Sequence, residues 1–546
     1  MRPMSIRNIL AFVCKTVVPV LLFLSCGGGG GNGEETTDPP TFPPAVFLAD
    51  KTTDEVDELY ASFDDGANIV KLSNNMVGDR DVEAFLVSPD GAYAAYVADQ
   101  DTDGVMELYA VVVDKTSGDT AEKISGVMAG SGVLRLASLD YAFGWASDSS
   151  RVAYIADQNT AGVYELFTAT PDGTDNDQVS GALAADRDVH SFEWEPDSTL
   201  IAYAADQGTD DVVELYVSPA DTSVGNVRVS GAMAGDGLQA LASGQYDFAW
   251  APDSARIAYI ADQDTATEFE LYTSTPDGLT NLTISELPGS NRDVSAFAWS
   301  PDSQKLAYTA NQTAIDAVDL YTAPPDDVSF LIRQNSTGIG AGMQVGTFKW
   351  DSNSSRIAFV ADKVVIGEFY LYSVLNNSNA NIFISGSVAA GYDVKAFKWA
   401  PDAAYIAFVA EVPGFIFQLY TTFPDTAASI QISDDMFDGD ENDFAWTPDS
   451  SRLAYIADQD VFGDFELFAS VPNGSVIDNV SGNLVAGGDV QVFKWTEDSA
   501  ALGFLADQNI DARIELFASL PDGEDNTRLS GALVSGGDVA SFDWVP

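Results

Sequence analysis

Apolar and polar residues alternate along most of this chain with a period of two, in short runs broken by Pro, Asp, Ser and Gly. That pattern predicts short β-strands joined by tight turns, and no amphipathic helix pattern of useful length interrupts it. The runs are copies of one unit. All nine tryptophans stand at the same place in it, each two residues after a phenylalanine: Phe143/Trp145, Phe192/Trp194, Phe248/Trp250, Phe297/Trp299, Phe348/Trp350, Phe397/Trp399, Phe444/Trp446, Phe493/Trp495 and Phe542/Trp544. A tenth copy carries Phe85 with Val87 in the tryptophan slot. A spacing of two puts both rings on one face of a strand. There they are expected to serve as packing between repeats.

Each unit predicts four strands. The Phe-x-Trp strand leads through a turn such as Ala251-Pro252-Asp253-Ser254 into a second strand of the type Arg256 to Asp262. Pro fixes φ in that turn, and Asp or Ser can bond the backbone. A polar loop leads to a third strand, Glu-Leu-Tyr or Glu-Leu-Phe, and a turn such as Pro276-Asp277-Gly278 to a short fourth. Four-stranded sheets stacked radially bury both faces and keep only short edges, which is the β-propeller. The chain begins on a second strand (from Ala45) and ends on a lone first strand (from Val539). The last strand can therefore complete the first sheet. The expected fold is all-β, one propeller of ten four-stranded antiparallel units. Two smaller tandem propellers are the alternative, with a boundary in one of the longer units, 87–145 or 194–250.

The Trp-x-Pro-Asp-Ser, Ile-Ala-Tyr-Ile-Ala-Asp, Glu-Leu-Tyr and Pro-Asp-Gly segments resemble the PD40 or TolB-like, WD40-type propeller repeat over residues 46–546. The resemblance implies a propeller and leaves function wide. The family includes periplasmic binding modules, surface lipoproteins, propellers attached to serine peptidases, and some sugar lyases.

Charge narrows the classes. Against 25 Lys and Arg stand 83 Asp and Glu, a formal net charge of −58. A nucleic-acid binder needs basic groups to displace counterions, so that class is excluded. One His and two Cys exclude a disulfide framework and a His/Cys zinc site. A surface this acidic stays hydrated and self-screened in high salt, which suits a saline habitat.

Residues 1–25 read as a secretory signal, with Arg2, Arg7 and Lys15 before a short apolar run from Thr16 to Leu24. Phe23-Leu24-Ser25-Cys26 resembles a bacterial lipobox, which implies lipidation at Cys26. Residues 26–45 are Gly-rich and then Pro-rich, the composition of a tether. The expected location is the bacterial cell envelope, at the outer membrane or cell surface, with the bilayer reached through the lipid anchor only.

Two acidic patterns are candidate sites. Six residues before the tryptophan slot stand Asp81, Asp188, Asp293, Asp393, Asp440, Asp489 and Asp538. Around one ring they would form a collar of carboxylates at a channel mouth, suited to a cationic peptide, a polyamine or a divalent metal. The other reading is a turn cap, Asp bonding nearby backbone. Arg80, Arg187 and Arg292 directly precede three of them and would blunt the field. In the loop beginning Asp99-Gln100-Asp101-Thr102-Asp103-Gly104, the residues Asp99, Asp101 and Asp103 alternate like the start of a calcium loop, without the Glu at position twelve. Calcium is thus a candidate cofactor, and hairpin turn chemistry the bland alternative. The Glu that opens the third strand (Glu107, Glu165, Glu214) is expected to receive a loop N–H.

Catalysis finds little support. His190 occupies a slot filled elsewhere by Ser295, Lys395, Gln491 or Ala540, which suggests an exposed face. No Gly-x-Ser-x-Gly elbow is present. The sequence reads as a non-enzymatic, lipid-anchored propeller that binds an envelope protein or glycan through inserted loops near 114–132, 221–244 and 330–345. A divalent-cation or cationic-ligand module and a glycan-active lyase or hydrolase are the alternatives.

Overall fold

The repeat's aromatic positions fall into register. The Phe of the Phe-x-Trp strand, the aromatic of the second strand and an aromatic of the third stand directly opposite one another, as Phe248, Tyr259 and Tyr272 do. In all ten sheets the second- and third-strand rings stack, with centroids 5.3–5.6 Å apart. Such cross-strand aromatic pairs are the unit of sheet stabilisation. The computed structural model that shows this describes residues 41–546, apart from positions 77, 79, 116–119, 137–140, 223, 242–244, 286–291, 315, 328–330, 335–343, 387–392, 413–415, 434–443 and 461–462.

Ten four-stranded antiparallel sheets follow one another as blades of a propeller. In chain order they span 45–71 (blade 1), 82–123, 143–178, 189–228, 248–283, 294–333, 345–383, 393–431, 444–479 and 490–528 (blade 10). Blade 1 takes its inner strand from the C-terminus: Val539–Trp544 pairs with Ala45–Ala49, matching Phe542 to Phe47. Outer strands have only two to four residues, which keeps the exposed edges short.

Apolar clusters join every neighbouring pair of blades, and the tenth joins blade 10 to blade 1. One ten-bladed ring forms, and the tandem alternative is set aside. Each interface sets an aromatic face against a small one. Phe248, Trp250, Tyr259 and Tyr272 of blade 5 pack on Ala202, Ala204, Leu215 and Val217 of blade 4. Large against small is how such layers interdigitate without voids. Every Phe/Trp pair of the repeat stands in one of these clusters. Phe348 and Trp350 face blade 6, Phe397 and Trp399 blade 7, Phe444 and Trp446 blade 8, and Phe493 and Trp495 blade 9.

The tryptophans do more than pack between blades. Each indole Nε1 donates to a backbone carbonyl on the inner strand of the preceding blade. The series runs Trp145 to Leu86 (3.1 Å), Trp194 to Gly144 (3.0 Å), Trp250 to Glu193 (3.2 Å) and Trp299 to Ala249 (3.1 Å). It continues with Trp350 to Ala298 (3.2 Å), Trp399 to Lys349 (3.1 Å), Trp446 to Lys398 (3.2 Å), Trp495 to Ala445 (3.0 Å) and Trp544 to Lys494 (3.1 Å). The rings are not equally enclosed either. Trp350 and Trp446 are buried, whereas Trp194, Trp399 and Trp495 are only half-buried. The physical reason is the indole's mixed character, an apolar body with one N–H that must find an acceptor when buried. This girdle runs through nine blades and lapses at Val87, which has no donor.

At the turn between inner and second strands a further link recurs. The Asp N–H of one blade donates to the Ser Oγ of the next, as Asp253 to Ser303 (3.0 Å) and Asp302 to Ser354 (2.9 Å).

Candidate functional site

At the opposite end of the inner strands lies the acidic collar. Six of its seven sequence-predicted members are described; Asp440 lies outside the described residues. Each of the six uses Oδ1 to accept a backbone N–H from the preceding blade, at the residue leading into the third strand. The donors are Asp57 for Asp81 (2.8 Å), Tyr164 for Asp188 (2.7 Å), Phe269 for Asp293 (2.9 Å), Phe369 for Asp393 (2.6 Å), Phe465 for Asp489 (2.8 Å) and Ile514 for Asp538 (2.8 Å). The collar residue's own N–H then donates to the side chain that ends its blade's second strand: Asp99 for Asp81 (3.1 Å), Asp206 for Asp188 (2.7 Å) and Asn311 for Asp293 (2.7 Å). The collar is a latch between blades, built from charge-assisted hydrogen bonds. Burial raises the carboxyls of Asp188, Asp489 and Asp538 above the usual range, and nearby carboxylates add to it: Asp206, Asp507 and Asp50 respectively. The arginines beside the collar are turned onto backbone. The guanidinium groups of Arg80, Arg187 and Arg292 donate to carbonyls of their own blade's loop, at Gln100 (2.9 Å), Gln207 (2.9 Å) and Asn311 (3.1 Å).

The calcium-like loop is likewise held by backbone. Asp99 accepts from Asp81 N–H on Oδ1 (3.1 Å) and from Gly104 N–H on Oδ2 (3.0 Å). Asp101 pairs with Lys123 (3.1 Å), while Asp103 is exposed. Among the described residues no group of three or more His, Cys, Asp or Glu side chains gathers to hold a metal. The third-strand Glu meets its expected loop N–H in blade 3 and side chains in blades 2 and 4. Glu165 accepts the loop N–H of Leu183 (3.4 Å) together with the amides of Asn159 and Gln178, whereas in blades 2 and 4 the Glu is buried between a Tyr hydroxyl and an outer-strand base. Glu107 accepts from Tyr109 (3.0 Å) and Lys123 (2.9 Å), and Glu214 from Tyr216 (2.8 Å) and Arg228 (2.5 Å).

Three blades lack the collar Asp: blade 7 has Gln344 there, and in blades 3 and 5 inserted chain takes its place. In blades 3 and 5 the inner strand keeps only three residues, Phe143–Trp145 and Phe248–Trp250, against six in Val294–Trp299. Inserted chain replaces the missing half. Val133 bridges Ala156, and Leu134 N–H donates to Ile155 (2.8 Å). Arg135 bridges Tyr141 antiparallel, which closes a hairpin whose residues 137–140 lie outside the described residues, and the chain returns at Ala142. Blade 5 does the same with Leu238, Gln239 (to Ile260, 2.9 Å), Ala240, Tyr246 and Asp247. The work of the missing collar Asp passes to backbone: Met106 N–H donates to Ser131 (2.9 Å) and Val213 N–H to Asp236 (2.9 Å). The close approach demands glycine. A Cβ on Gly132 or Gly237 would stand 1.8 or 1.9 Å from a carbonyl oxygen of the facing strand, and both have positive φ.

The hairpins flank blade 4 and reach its inner strand Val189–Trp194. Tyr246 packs its ring on His190 (5.3 Å, tilted), and its N–H donates to Ser191 Oγ (3.4 Å). His190 Nε2 lies 3.9 Å from Asp206. His190 is thus half-buried rather than on an open face, and burial lowers its pKa. Two carboxyls here were not foreseen. Glu193, in the middle of Phe-x-Trp, has Oε2 out of solvent and without a hydrogen-bond partner, and burial pushes it up to about 8. Burial pushes Asp247 up to about 6. The available signal was the slot itself, since the residue between Phe and Trp is elsewhere mostly Ala, Gly, Leu or Lys.

The insertion near 330–345 is described only in part; Gln344 takes the collar position and bridges Val318. Cys26 and the signal segment lie outside the described residues. No helix of the described residues is long and apolar enough to cross a membrane.

No family model and no curated protein matches the chain. Among solved structures it is similar to a eukaryotic initiation factor (12% identity, 80% of this chain and 96% of that one, TM-score 0.45). It is similar also to an oligogalacturonate lyase from Vibrio parahaemolyticus (12%, 71% and 98%, 0.36) and a TolB candidate from Agrobacterium tumefaciens (13%, 49% and 94%, 0.27). At that distance they are neighbours in general shape, and nothing they bind or cleave passes to this chain.

Proposed function

We propose that this protein is a non-catalytic binding or scaffold module of the bacterial cell envelope, tethered by lipid at Cys26, that holds an envelope protein or glycan at its collar face. One observation carries the reading. The recurring polar positions are absorbed by the fold as latches, whereas the two hairpins of blades 3 and 5 interrupt that scheme at one channel mouth. Departures from an otherwise strict repeat are where recognition belongs. A cationic ligand on the collar is the second reading, favoured by the close carboxylate pairs such as Asp489 with Asp507.

The test is capture from solubilised native envelope with the tagged, unlipidated full chain (Cys26→Ala), with and without calcium. A parallel bait has residues 136–140 and 241–245 each replaced by Asn-Gly. A saturable partner held by the first bait and lost from the second is the expected result. The same proteins and glycans on both baits, or none on either, would overturn the hairpin assignment. Retention only with calcium would favour the second reading.

A further inference from the structure

At the turn end of the ring, away from the collar, several blades carry a base where the second strand begins. In three of them its Nη1 is bonded within the blade or across to the next. Arg151 donates to Asp177 (2.9 Å) and Thr168 (3.0 Å). Arg356 donates to the Pro424 carbonyl of the next blade (3.2 Å). Arg452 donates to Asp478 (2.8 Å) and to the Pro521 carbonyl of the next blade (3.0 Å). Arg256 holds that place in blade 5, and its Nη1 is out of solvent with no hydrogen-bond partner. The strand registers give the reason. Asp177 and Asp478 stand opposite Thr168 and Ala469 on the third strand, and the matching residue, opposite Thr273, is Leu282. The carbonyl across the interface, at Pro325, accepts from Thr273 instead (2.7 Å). In a chain with 83 acidic residues, this arginine lacks the carboxylate that its counterparts in blades 3 and 9 have.

Between Arg256 and the Pro324–Asp326 turn of blade 6 lies a cavity of about 370 Å³, inside the roughly 300–1,000 Å³ range of small-molecule sites. Trp299, Pro324 and Pro325 give it apolar walls, and Asp253 and Asp326 line it as exposed carboxylates. The matching gap between blades 2 and 3 is also open, but there Tyr93 takes the arginine's place and Glu122 lines the wall. We propose that the blade 5/blade 6 cavity binds a free α-amino acid with an apolar side chain. The guanidinium takes the carboxylate, as its counterparts take those of Asp177 and Asp478. Asp253 and Asp326 supply acceptors for the ammonium, and the side chain lies against the tryptophan and proline walls. Charge decides against a simple anion. A carboxylate alone would meet two local acids and the −58 of the whole chain, whereas a zwitterion has no net charge to repel. The site is at the far end of the inner strands from the two hairpins, so it stands or falls apart from the collar-face reading.

The test is calorimetric titration of L-leucine into the unlipidated full chain (Cys26→Ala) at physiological ionic strength. Isocaproate, which lacks the ammonium, and isoamylamine, which lacks the carboxylate, are titrated beside it. Two variants address the arginine. Arg256→Gln removes its charge. Leu282→Asp supplies the internal carboxylate of blades 3 and 9, so it should close the site while holding or raising the thermal midpoint. The expected result is one saturable leucine site in the parent, roughly tenfold weaker in each variant, with both fragments bound more weakly than leucine. No leucine binding by the parent, or equal binding by Arg256→Gln, overturns the proposal. Isocaproate bound as tightly as leucine would overturn the assignment to a zwitterion.

Discussion

Replacing Asp293 separates the two roles a collar carboxylate could have. In the structure its Oδ1 accepts the Phe269 N–H across the blade 5/blade 6 interface at 2.9 Å. Asp293→Ala leaves that N–H without its partner. A hydrogen bond to a charged acceptor contributes about 1.5–3 kcal/mol. The collar is half-buried, so water recovers part of it, and a loss of about 1–2 kcal/mol is expected. Asp293→Asn keeps an acceptor oxygen in place and should lose less than about 1 kcal/mol. The backbone donor to Asn311 survives in both. The assay is guanidinium unfolding followed by tryptophan emission, which reports the indole girdle, with midpoint and slope compared so that a change in cooperativity is not misread as stability. The reasoning is refuted if Ala and Asn are equally destabilised or if neither is. A calcium-dependent rise in midpoint present in the parent and absent from Asp293→Ala would return the collar to ligand duty.

Glu193 carries a pH prediction. Its folded pKa is raised by burial from 4.5 to about 8, so the folded state holds a proton that the unfolded chain releases. The penalty is absent below pH 4.5, grows through neutrality and is complete above pH 8. At pH 7 it amounts to on the order of 3 kcal/mol. Glu193→Gln should raise the unfolding midpoint at pH 8 and change it little at pH 4.5; an equal shift at both would place the cause elsewhere. Gly503→Ala should destabilise the ring by about 1–3 kcal/mol, because the new Cβ would meet the rings of Trp544 and Phe542 at 2.6 and 2.7 Å. A neutral result in thermal melts would mean that blade 1 can yield there. The girdle is tested from both sides: Trp299→Phe removes the donor to Ala249 (3.1 Å) and should cost about 1 kcal/mol for the bond, while Val87→Trp offers blade 2 the donor it lacks and should raise the midpoint. Deleting 539–546 should open blade 1, read as a large rise in radius of gyration by solution scattering; an unchanged radius would refute closure by that strand.

The architecture was readable because the repeat is strict. Phe-x-Trp spacing defined a strand face, and the phase of the two chain ends defined the closure from Ala45 and Val539. The indole donors were less visible, because Trp350, Trp399, Trp446 and Trp495 look like core residues until the carbonyl each one reaches, about 50 residues back, is in place. The collar positions were readable too, but their use was not. Asp293 and Phe269 sit 24 residues apart on different blades, and a sequence does not show which backbone donor a carboxylate will face. The same holds for the third-strand Glu, whose basic partner lies on the outer strand, 16 residues on for Glu107 and 14 for Glu214. The hairpins were located only as extra length. Their key is Gly132 and Gly237, where the chain crosses a facing carbonyl, and a glycine in a loop announces no such crossing. Glu193 was legible only in outline: its slot is elsewhere mostly Ala, Gly, Leu or Lys, yet Asp543 shares it, and only the packing shows that Oε2 is shut away from solvent.

Consider finally the strand by which the chain enters the ring. Ala45–Ala49 is bonded on both sides, to Glu58–Phe63 and to Val539–Trp544. Hydrogen bonds between antiparallel strands run perpendicular to the strand axis. Tension applied through the N-terminal segment acts along that axis, so it loads both rows in shear and all their bonds at once. Peeling, which breaks them one by one, needs a sideways pull that this exit direction does not supply. The joint that looks like the weak point of the circle, made from two chain ends, is the one placed to bear mechanical load.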